Sequence, residues 1–357
     1  MEYRHPSEVS QTGVDRTAAP VDAAGPVFTV AVADRGYAWW YIDAWSDCGR
    51  HGLTVIAMLG CVFSPWYARA RRRAPPGIIV DPLAHSGLNV ALYGAAGHRW
   101  ALTERGARDL QRRPGRLAIG PSRLDWDGQE LLIRIDEVTS PWPRRLRGTV
   151  RVRPQGLLHH GYGLDAGTDG APRHLWWPIA PRCRVSAEFE RPALAWHGDG
   201  YLDANAGCAP LEHDFESWNW SRAHRGEETR VFYDTVWRAD GRSGTGPQGR
   251  SLALAFGAQG VRGTVAPCAR EVVAPPVQRL PTTPWGIRRE TRGDLGRGAR
   301  VLATLEDGPF YARSRIESHL DGGLATGFHE SVSLRRFAAP WVQMLLPVRL
   351  PRRPIAR

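Results

Sequence analysis

The chain has 357 residues, of which 42% are hydrophobic and 23% are charged, and its formal net charge is +11. These values exclude an intrinsically disordered chain, and the length is sufficient for two domains, or one large one, with a sizeable core. All 47 basic residues are arginine, as a GC-rich genome would produce, so the charge by itself indicates only an affinity for anionic surfaces.

The five cysteines are scattered and form no CxxC pair. This spacing argues against a disulfide framework or a zinc site and suits a reducing compartment. The first 24 residues contain no apolar core of the kind found in signal peptides, and the longest apolar run, 53–63, is too short to cross a bilayer as a helix. We therefore expect a soluble or peripheral protein of the cytoplasm.

Extended segments joined by tight turns dominate the pattern. In chain order, the apolar spacing predicts one short helix over 64–73 and another over 103–113. Asp-Gly pairs favour hairpin turns because glycine readily adopts a positive φ. Six such pairs occur, at 127–128, 169–170, 199–200, 240–241, 307–308 and 321–322. The sequence predicts an all-β protein with many hairpins, folded as barrels or sandwiches.

The polar, turn-rich segment 205–218 divides this pattern into two halves, and a new strand pattern begins near Trp218. Each half has about the length of a small antiparallel barrel. The predicted divisions are a loose tail over 1–25, an N-terminal domain over 26–208, a C-terminal domain over 209–349 and a basic tail over 350–357.

Two short motifs carry residue types suited to acid chemistry. "RHLWWPIAP" contains His174 and Trp176, and "GYLDANAG" contains Tyr201 and Asp203. Residues two apart in a strand share a face, so neighbouring strands could bring the four side chains together, as inside a barrel that binds a ligand. Burial among aromatic rings raises the pKa of an aspartate and allows it to hold a proton near neutral pH. Such an acid could protonate an alkene.

Each of the four residues also has a structural interpretation. Asp203 follows a Gly-rich stretch and could cap the backbone N–H groups of a turn. His174 could be a hydrogen-bonded structural residue, and Trp176 could be a core or rim aromatic. Tyr201 could pack at a barrel edge. Spacing alone leaves both interpretations open.

A basic cluster over 68–73 follows Trp66 and Tyr67. It could dock on anionic lipid headgroups with the two rings at the interface, each arginine contributing about 1 kcal/mol. The cluster could equally be the solvated end of a helix. The arginines of the whole chain are dispersed and form no recognisable nucleic-acid-binding module, so we expect no nucleic-acid partner.

Long stretches of the chain resemble the carotenoid 1,2-hydratases (hydroxyneurosporene synthases) of purple photosynthetic bacteria. The resemblance begins with "GYAWWYIDAWSDCGRHGLTVIAMLGCVFSPWYARARR" and continues through "HLWWPIAP", "GDGYLDANAG", "TLEDGPFYARS" and "PWVQMLLPVRLPRR". It covers about residues 28–354. The resemblance implies membership of a wider superfamily with two lipocalin-like β-barrel domains in tandem, in agreement with the hairpin-rich pattern.

The resemblance also implies a reaction. Water adds across the terminal C1–C2 double bond of an acyclic carotene such as neurosporene or lycopene, without a metal or other cofactor, and gives a tertiary 1-hydroxy product. The family's HxW and YxD pairs fall on His174 and Trp176 and on Tyr201 and Asp203. We expect Asp203 to protonate C2 and Tyr201 to orient it. Trp176 would lie under the cation at C1, and His174 would hold or deprotonate the water.

The implied substrate is a hydrocarbon that does not dissolve in water, so the resemblance implies peripheral contact with the inner, photosynthetic membrane. Two other functions fit part of the pattern. A lipocalin-like carrier would share the fold and an apolar pocket but would need no acid. A prenyl-chain cyclase would begin with the same protonation and would then use an internal nucleophile in place of water.

Overall fold

Antiparallel strands form most of the computed structural model, which describes residues 18–94, 97–167, 170–238, 248–259 and 266–353. The strands up to residue 207 are β1 (Val21–Asp22), β2 (Gly25–Pro26), β3 (Tyr37–Ser46), β4 (His51–Leu59), β5 (Ser86–Gly94), β6 (Arg99–Arg105), β7 (Leu110–Arg113), β8 (Arg116–Ile119), β9 (Ser122–Trp126), β10 (Leu131–Val138), β11 (Arg145–Pro154), β12 (Tyr162–Gly163), β13 (His174–Arg191) and β14 (Leu194–Gly207). The later strands are β15 (Phe215–Arg225), β16 (Glu228–Trp237), β17 (Gly249–Gln259), β18 (Ala266–Glu271), β19 (Val277–Leu280), β20 (Arg289–Arg292), β21 (Arg300–Asp307), β22 (Tyr311–Leu320) and β23 (Gly323–Ser333). The helices are α1 (Pro65–Arg73), α2 (Leu211–Asp214), α3 (Leu334–Phe337) and α4 (Pro340–Arg349), with 3-10 turns at Pro82–Ala84 and Ala107–Asp109.

The first sheet is a nearly closed barrel. Its strands follow the order β6-β5-β4-β3-β14-β13-β11-β10-β9-β8-β7, with β12 paired to β13 beside this path. The curl brings β6 against β10. A continuous apolar cluster fills the interior, and β3 contributes Trp40, Ile42 and Ala44 to it. The predicted all-β class is confirmed, and the first sheet has the expected antiparallel barrel form.

The outer face of β3 is also covered. Tyr37, Trp39 and Tyr41 pack in a second apolar cluster that includes Trp218 and Phe328 from the later strands. Every residue of β3 except Trp45 is consequently buried. A strand enclosed on both faces needs no polar alternation, which explains the aromatic density of this stretch.

The second sheet has seven strands in the order β18-β17-β16-β15-β23-β22-β21, and β19 pairs separately with β20. The two large sheets share no strand among the described residues, and the chain passes from one to the other between Gly207 and Phe215. We propose that residues 26–208 and 209–349 are the two domains.

Helix α1 confirms the helix predicted over 64–73. Ser64 caps it, because its Oγ accepts hydrogen bonds from the backbone N–H groups of Trp66 (3.1 Å) and Tyr67 (3.3 Å). Tyr67 is fully buried and donates its hydroxyl to the Gly36 carbonyl at 2.7 Å, while the Trp66 indole donates to the Leu350 carbonyl at 3.0 Å. The structure therefore contradicts the prediction that these two rings lie at a membrane interface. Within the described part of the chain, no helix is both long and apolar enough to span a bilayer.

The helix predicted over 103–113 is wrong. Residues 99–105 are strand β6, and the chain continues through a 3-10 turn into β7. Glu104, on β6, is fully buried, and its Oε1 accepts hydrogen bonds from Arg352 (2.5 Å) and faces His85 Nδ1 at 2.9 Å. These partners lie far away in sequence, and they outweigh a weak local helical preference.

Three Asp-Gly pairs form the predicted hairpin turns, at 127–128, 307–308 and 321–322. At the last, Asp321 (φ 49°) and Gly322 (φ 77°) both adopt positive φ, as a type I′ turn requires. The turn predicted at 199–200 is wrong because both residues lie inside β14, where they pair with β3. The pair at 240–241 lies outside the described residues, as does the first residue of the pair at 169–170.

Parts of both predicted tails pack on the barrel. Residues 1–17 lie outside the described range, but β1 and β2 form a small hairpin in which Val21 is buried. At the other end, Leu350 is buried and the backbone of Arg352 bridges to Glu104. Residues 354–357 are not described.

Candidate active site

The four predicted site residues lie on the outer face of the first sheet, between the two sheets. In the register of β14 and β3, Asp203 lies opposite Tyr41 and Tyr201 lies opposite Asp43. Ile42, between these positions on β3, and Trp40, just before them, point into the barrel. The expectation that the motif converges inside a barrel is therefore wrong, because one step along a strand changes the face.

Asp203 opens on a cavity between the sheets, which we call the central cavity. Its empty volume is about 1090 Å³, part of it open to solvent. Most of its wall is apolar or aromatic. Between residues 39 and 205, the side chains that line the cavity include Trp39, Tyr41, Ile56, Met58, Phe63, Trp100, Leu102, Asp203 and Asn205. Between residues 218 and 350, the side chains that line the cavity include Trp218, Trp220, Tyr233, Phe310, Tyr311, Arg313, Glu330, Leu346, Arg349 and Leu350.

The two oxygens of the Asp203 carboxyl have different surroundings. Oδ2 accepts hydrogen bonds from the Trp176 indole N–H at 2.8 Å and from the Tyr201 hydroxyl at 2.9 Å. Oδ1 is buried and has no hydrogen-bond partner among the described residues. Asp203 lies in the middle of a strand and caps no turn.

Burial raises the pKa of Asp203 well above its usual value. The donors Trp176 and Tyr201 oppose this change, whereas the nearby carboxyls of Glu330 and Asp43 add to it. Desolvation is the largest effect, so the protonated form of Asp203 is favoured. A neutral carboxylic acid facing an apolar cavity can donate a proton to a weak base.

Trp176 and Tyr201 donate hydrogen bonds to Asp203 but do not line the cavity themselves. The Trp176 ring packs edge-on against Tyr233 with centroids 5.7 Å apart, and Tyr201 packs against Trp220 at 5.4 Å. The expected position of Trp176 under a cation does not fit this geometry, because Trp176 is fully buried and does not line the cavity. The expectation that Tyr201 orients Asp203 agrees with the hydrogen bond.

His174 belongs to a separate network. Its Nδ1 lies 2.9 Å from the Tyr37 hydroxyl, and its Nε2 lies 2.6 Å from Asp214 Oδ2. Burial and the charge of Arg173 lower the pKa of His174 to about 3, so the ring is neutral. A neutral ring can then accept from Tyr37 and donate to Asp214, which leaves neither nitrogen for a water. The expected role as the base that holds the water does not fit these contacts.

Some residues of the site were not predicted. Asn205 follows Asp203 by two positions on the same face of β14, and its side-chain amide contacts Tyr233, which also lines the cavity. The period-two rule that paired Tyr201 with Asp203 could have identified it. Trp220 and Tyr233 come from the second sheet, and no local pattern connects them to Asp203.

A buried ion pair and a buried hydrogen bond join the two sheets around the cavity. Arg222 of β15 donates through Nε to Asp43 Oδ1 of β3 at 2.7 Å, and the Tyr41 hydroxyl donates to Asp43 Oδ2 at 3.0 Å. Arg313 of β22 donates to the hydroxyl of Tyr93 at 2.6 Å. These contacts fix the relative position of the cavity walls.

Comparisons with a family model and with individual relatives identify the same family. A family model described as carotenoid hydratase CrtC matches residues 55–357. Proteins named acyclic carotenoid 1,2-hydratase are 52% identical in Thiocapsa roseopersicina and 46% identical in Rubrivivax gelatinosus, each alignment covering 92% of this chain and 76% of the relative. The protein of the same name in Cereibacter sphaeroides is 35% identical over 84% of this chain and 98% of its own length.

Two solved structures share the fold at low sequence identity. A protein named AttH from Nitrosomonas europaea has a TM-score of 0.52 and 14% identity, over 83% of this chain and 92% of its own. Kievitone hydratase from Nectria haematococca has a TM-score of 0.51 and 10% identity, over 89% and 97%. At these identities, the likeness concerns the fold alone.

Proposed function

Since this chain belongs to the carotenoid hydratase family, we propose that it adds water to acyclic carotenes and that Asp203 is the acid that begins this addition. The observation that carries this proposal is the asymmetry of its carboxyl group. Oδ2 holds two hydrogen bonds, while Oδ1 is unpartnered within the described structure, and Asp203 lines the cavity. The proton therefore belongs on Oδ1.

The first step transfers this proton to C2 of the terminal double bond and leaves a tertiary cation at C1. Asp203 becomes a carboxylate in the same step. Trp176 and Tyr201 already donate to its Oδ2, so they stabilise the charge as it forms and require no rearrangement. The cation forms at C1 because the tertiary centre is the more stable one, which fixes the position of the new hydroxyl.

The aromatic wall of the cavity stabilises the cation. Trp218, Trp220 and Tyr233 line the cavity together with Asp203. An aromatic face attracts a positive charge by roughly 0.5–2 kcal/mol per ring. We assign this task to these three residues in place of Trp176.

The second step needs a water molecule beside C1. Asp203 Oδ1 is buried without a partner among the described residues, Asn205 contacts Tyr233 through its side-chain amide, and both Asp203 and Asn205 line the cavity. An amide NH2 has two hydrogens, so Asn205 can donate one to Tyr233 and one to a water. Alternate residues of a strand are about 7 Å apart, a span that one water can bridge. The amide donates to the water and the carboxylate accepts from it. Water oxygen then bonds to C1 and its proton returns to Asp203, which restores the acid.

His174 acts as a positioning residue in this scheme. It holds the start of β13 between Tyr37 and Asp214, two residues before Trp176. The indole N–H of Trp176 is thereby kept in the direction of Asp203.

The proposal extends to where the protein works. A carotene resides in the bilayer, so the protein collects its substrate by peripheral contact with the inner membrane. The net charge of +11 supports this proposal because bacterial bilayers carry anionic lipids.

Conversion of detergent-solubilised lycopene, with a chelator and no added cofactor, tests the role of Asp203. We expect the wild type to give products heavier by one water per hydrated end and Asp203→Asn to give none. Asp199→Asn is the matched control, since Asp199 lies on the same strand but is partly exposed and paired with Arg184 at 2.7 Å. Full activity of Asp203→Asn would place the acid elsewhere. Retained pigment without conversion by the wild type would favour a carrier, and a product of unchanged mass would favour a cyclase.

A further inference from the structure

Helix α4 has two apolar faces, and the protein covers only one of them. Val342 and Leu346 are buried against the domain. The other side carries four exposed apolar side chains, namely Trp341, Met344, Leu345 and Val348. Their spacing of three and four residues places them on one stripe of the helix. A contiguous apolar stripe of this kind marks an interaction site.

Two exposed tryptophans extend this stripe. The Trp285 ring stacks on Trp341 with centroids 6.5 Å apart and an interplanar angle of 14°. Trp142 is 78% exposed and lies in a loop whose Ser140 donates its hydroxyl to the Val348 carbonyl at 3.1 Å. We call these two rings and the four side chains of the stripe the α4 surface.

Arginines are frequent around the α4 surface, and the acidic groups near it are few: Asp307 accepts from the Trp285 backbone N–H at 3.2 Å, and Glu306 lies 3.8 Å from Arg349. Segments 64–80, 139–154 and 334–353 contain arginines but no aspartate or glutamate. Helix α1 packs against α4, where Arg72 donates to Gln343 at 3.4 Å, and its Arg69 and Arg73 are exposed. Cationic side chains beside exposed tryptophans are the combination that binds the headgroup region of an anionic bilayer.

The central cavity lies on the other side of α4 from the α4 surface. Leu346, Arg349 and Leu350, on the inner side of the same segment, line the cavity that Asp203 lines. A bilayer bound at α4 would therefore be separated from the apolar wall of the cavity by little more than the width of this helix.

We propose that the α4 surface docks on an anionic lipid bilayer and that carotene enters the central cavity past α4. This inference rests on the proposed function, because only a lipid-dissolved substrate requires such an entrance. Trp142 and Trp285 lie at the headgroup level, Met344 and Val348 insert below it, and the arginines of α1 contact lipid phosphates.

Flotation with vesicles of equal parts phosphatidylcholine and phosphatidylglycerol tests the docking. We expect the wild type to float with these vesicles and to bind pure phosphatidylcholine vesicles more weakly. Met344→Ser combined with Val348→Ser should weaken binding about tenfold or more, since two apolar side chains lose their burial in lipid. The control combines Leu295→Ser with Leu324→Ser. Both leucines are exposed, and Leu324 lies at the end of β23 away from α4, so this variant should bind as the wild type does.

Three results would overturn the proposal. The wild type could fail to float, or the Met344 and Val348 variant could float as well as the wild type. Sedimentation without lipid could also show a wild-type dimer that the variant does not form, in which case the α4 surface joins two copies of the chain.

Activity separates this inference from the proposed function. The Met344 and Val348 variant should hydrate detergent-solubilised lycopene at the wild-type rate and vesicle-embedded lycopene much more slowly. If the wild type does not hydrate lycopene even in detergent, the proposed function fails, whereas the flotation result still decides whether the α4 surface binds lipid.

Discussion

At the scale of single residues, the proposed mechanism depends on keeping one carboxyl neutral. Asp203 has a raised pKa because of burial, so its contribution to stability is present at low pH and is lost as the pH rises through that pKa. Asp203→Asn removes the free-energy cost that the buried, ionisable carboxyl imposes on folding as the pH rises. The variant should unfold at the same or a higher temperature than the wild type at neutral pH, which distinguishes lost chemistry from lost folding.

Tyr201→Phe should change the pH profile of the reaction. The reaction needs protonated Asp203, so activity is full below its pKa and falls as the pH rises through it. Tyr201 lowers the pKa of Asp203 by donating to it, so its removal should move the alkaline limb to higher pH. The rate constant kcat should also fall about tenfold to hundredfold, because the carboxylate formed in the first step loses a donor.

Tyr162→Phe is the control for this change. Tyr162 packs near Trp176 with centroids 5.7 Å apart but donates no hydrogen bond to Asp203. An unmoved alkaline limb in Tyr201→Phe would show that Asp203 is not the titrating acid.

Asn205→Leu tests the proposed water position. Leucine fills a similar volume but cannot donate to water, so we expect kcat to fall about tenfold or more with little change in KM. Carotene binding, measured by quenching of tryptophan fluorescence, should persist. Wild-type kcat in this variant would exclude Asn205 from holding the water.

At the scale of elements, strands β3 and β15 are joined by a buried ion pair. Asp43 and Arg222 are 0% and 3% exposed. Arg222→Met leaves the Asp43 charge buried without its partner, and we expect a loss of about 3–5 kcal/mol in the free energy of unfolding. Urea denaturation measures this loss. Arg184→Met removes a half-exposed pair and should cost about 1 kcal/mol or less; equal losses in the two variants would contradict the role of burial.

At the scale of the whole molecule, each sheet covers an apolar face of the other. The outer face of the first sheet carries Tyr37, Trp39, Tyr41 and Trp176 in the cluster shared with the second sheet. A fragment of residues 26–208 would expose this face to water. We expect it to bind a hydrophobic dye and to aggregate, whereas the full chain should do neither. A monomeric fragment with cooperative unfolding would show that the first domain is stable by itself.

The sequence by itself determined the all-β class, helix α1, three Asp-Gly hairpins and the pairing of Tyr201 with Asp203. These features depend on local periodicity, on turn chemistry and on a motif of adjacent residues, all of which can be read within a few positions. Other features depend on residues far apart in the chain. Glu104 belongs to a strand because its partner Arg352 lies 248 residues away. His174 is occupied by Tyr37 and Asp214, and the face of β14 that carries Asp203 is buried by a second sheet.

Only the tertiary structure therefore decided that Asp203 faces a cavity between two sheets and that Trp220 and Tyr233 form part of the aromatic wall of this cavity. It also showed that α4 exposes an apolar stripe beside that cavity. The physical reason is that alternation along a strand defines two faces but does not state which one meets solvent, ligand or another sheet. That choice is made by the burial of both faces against distant parts of the chain.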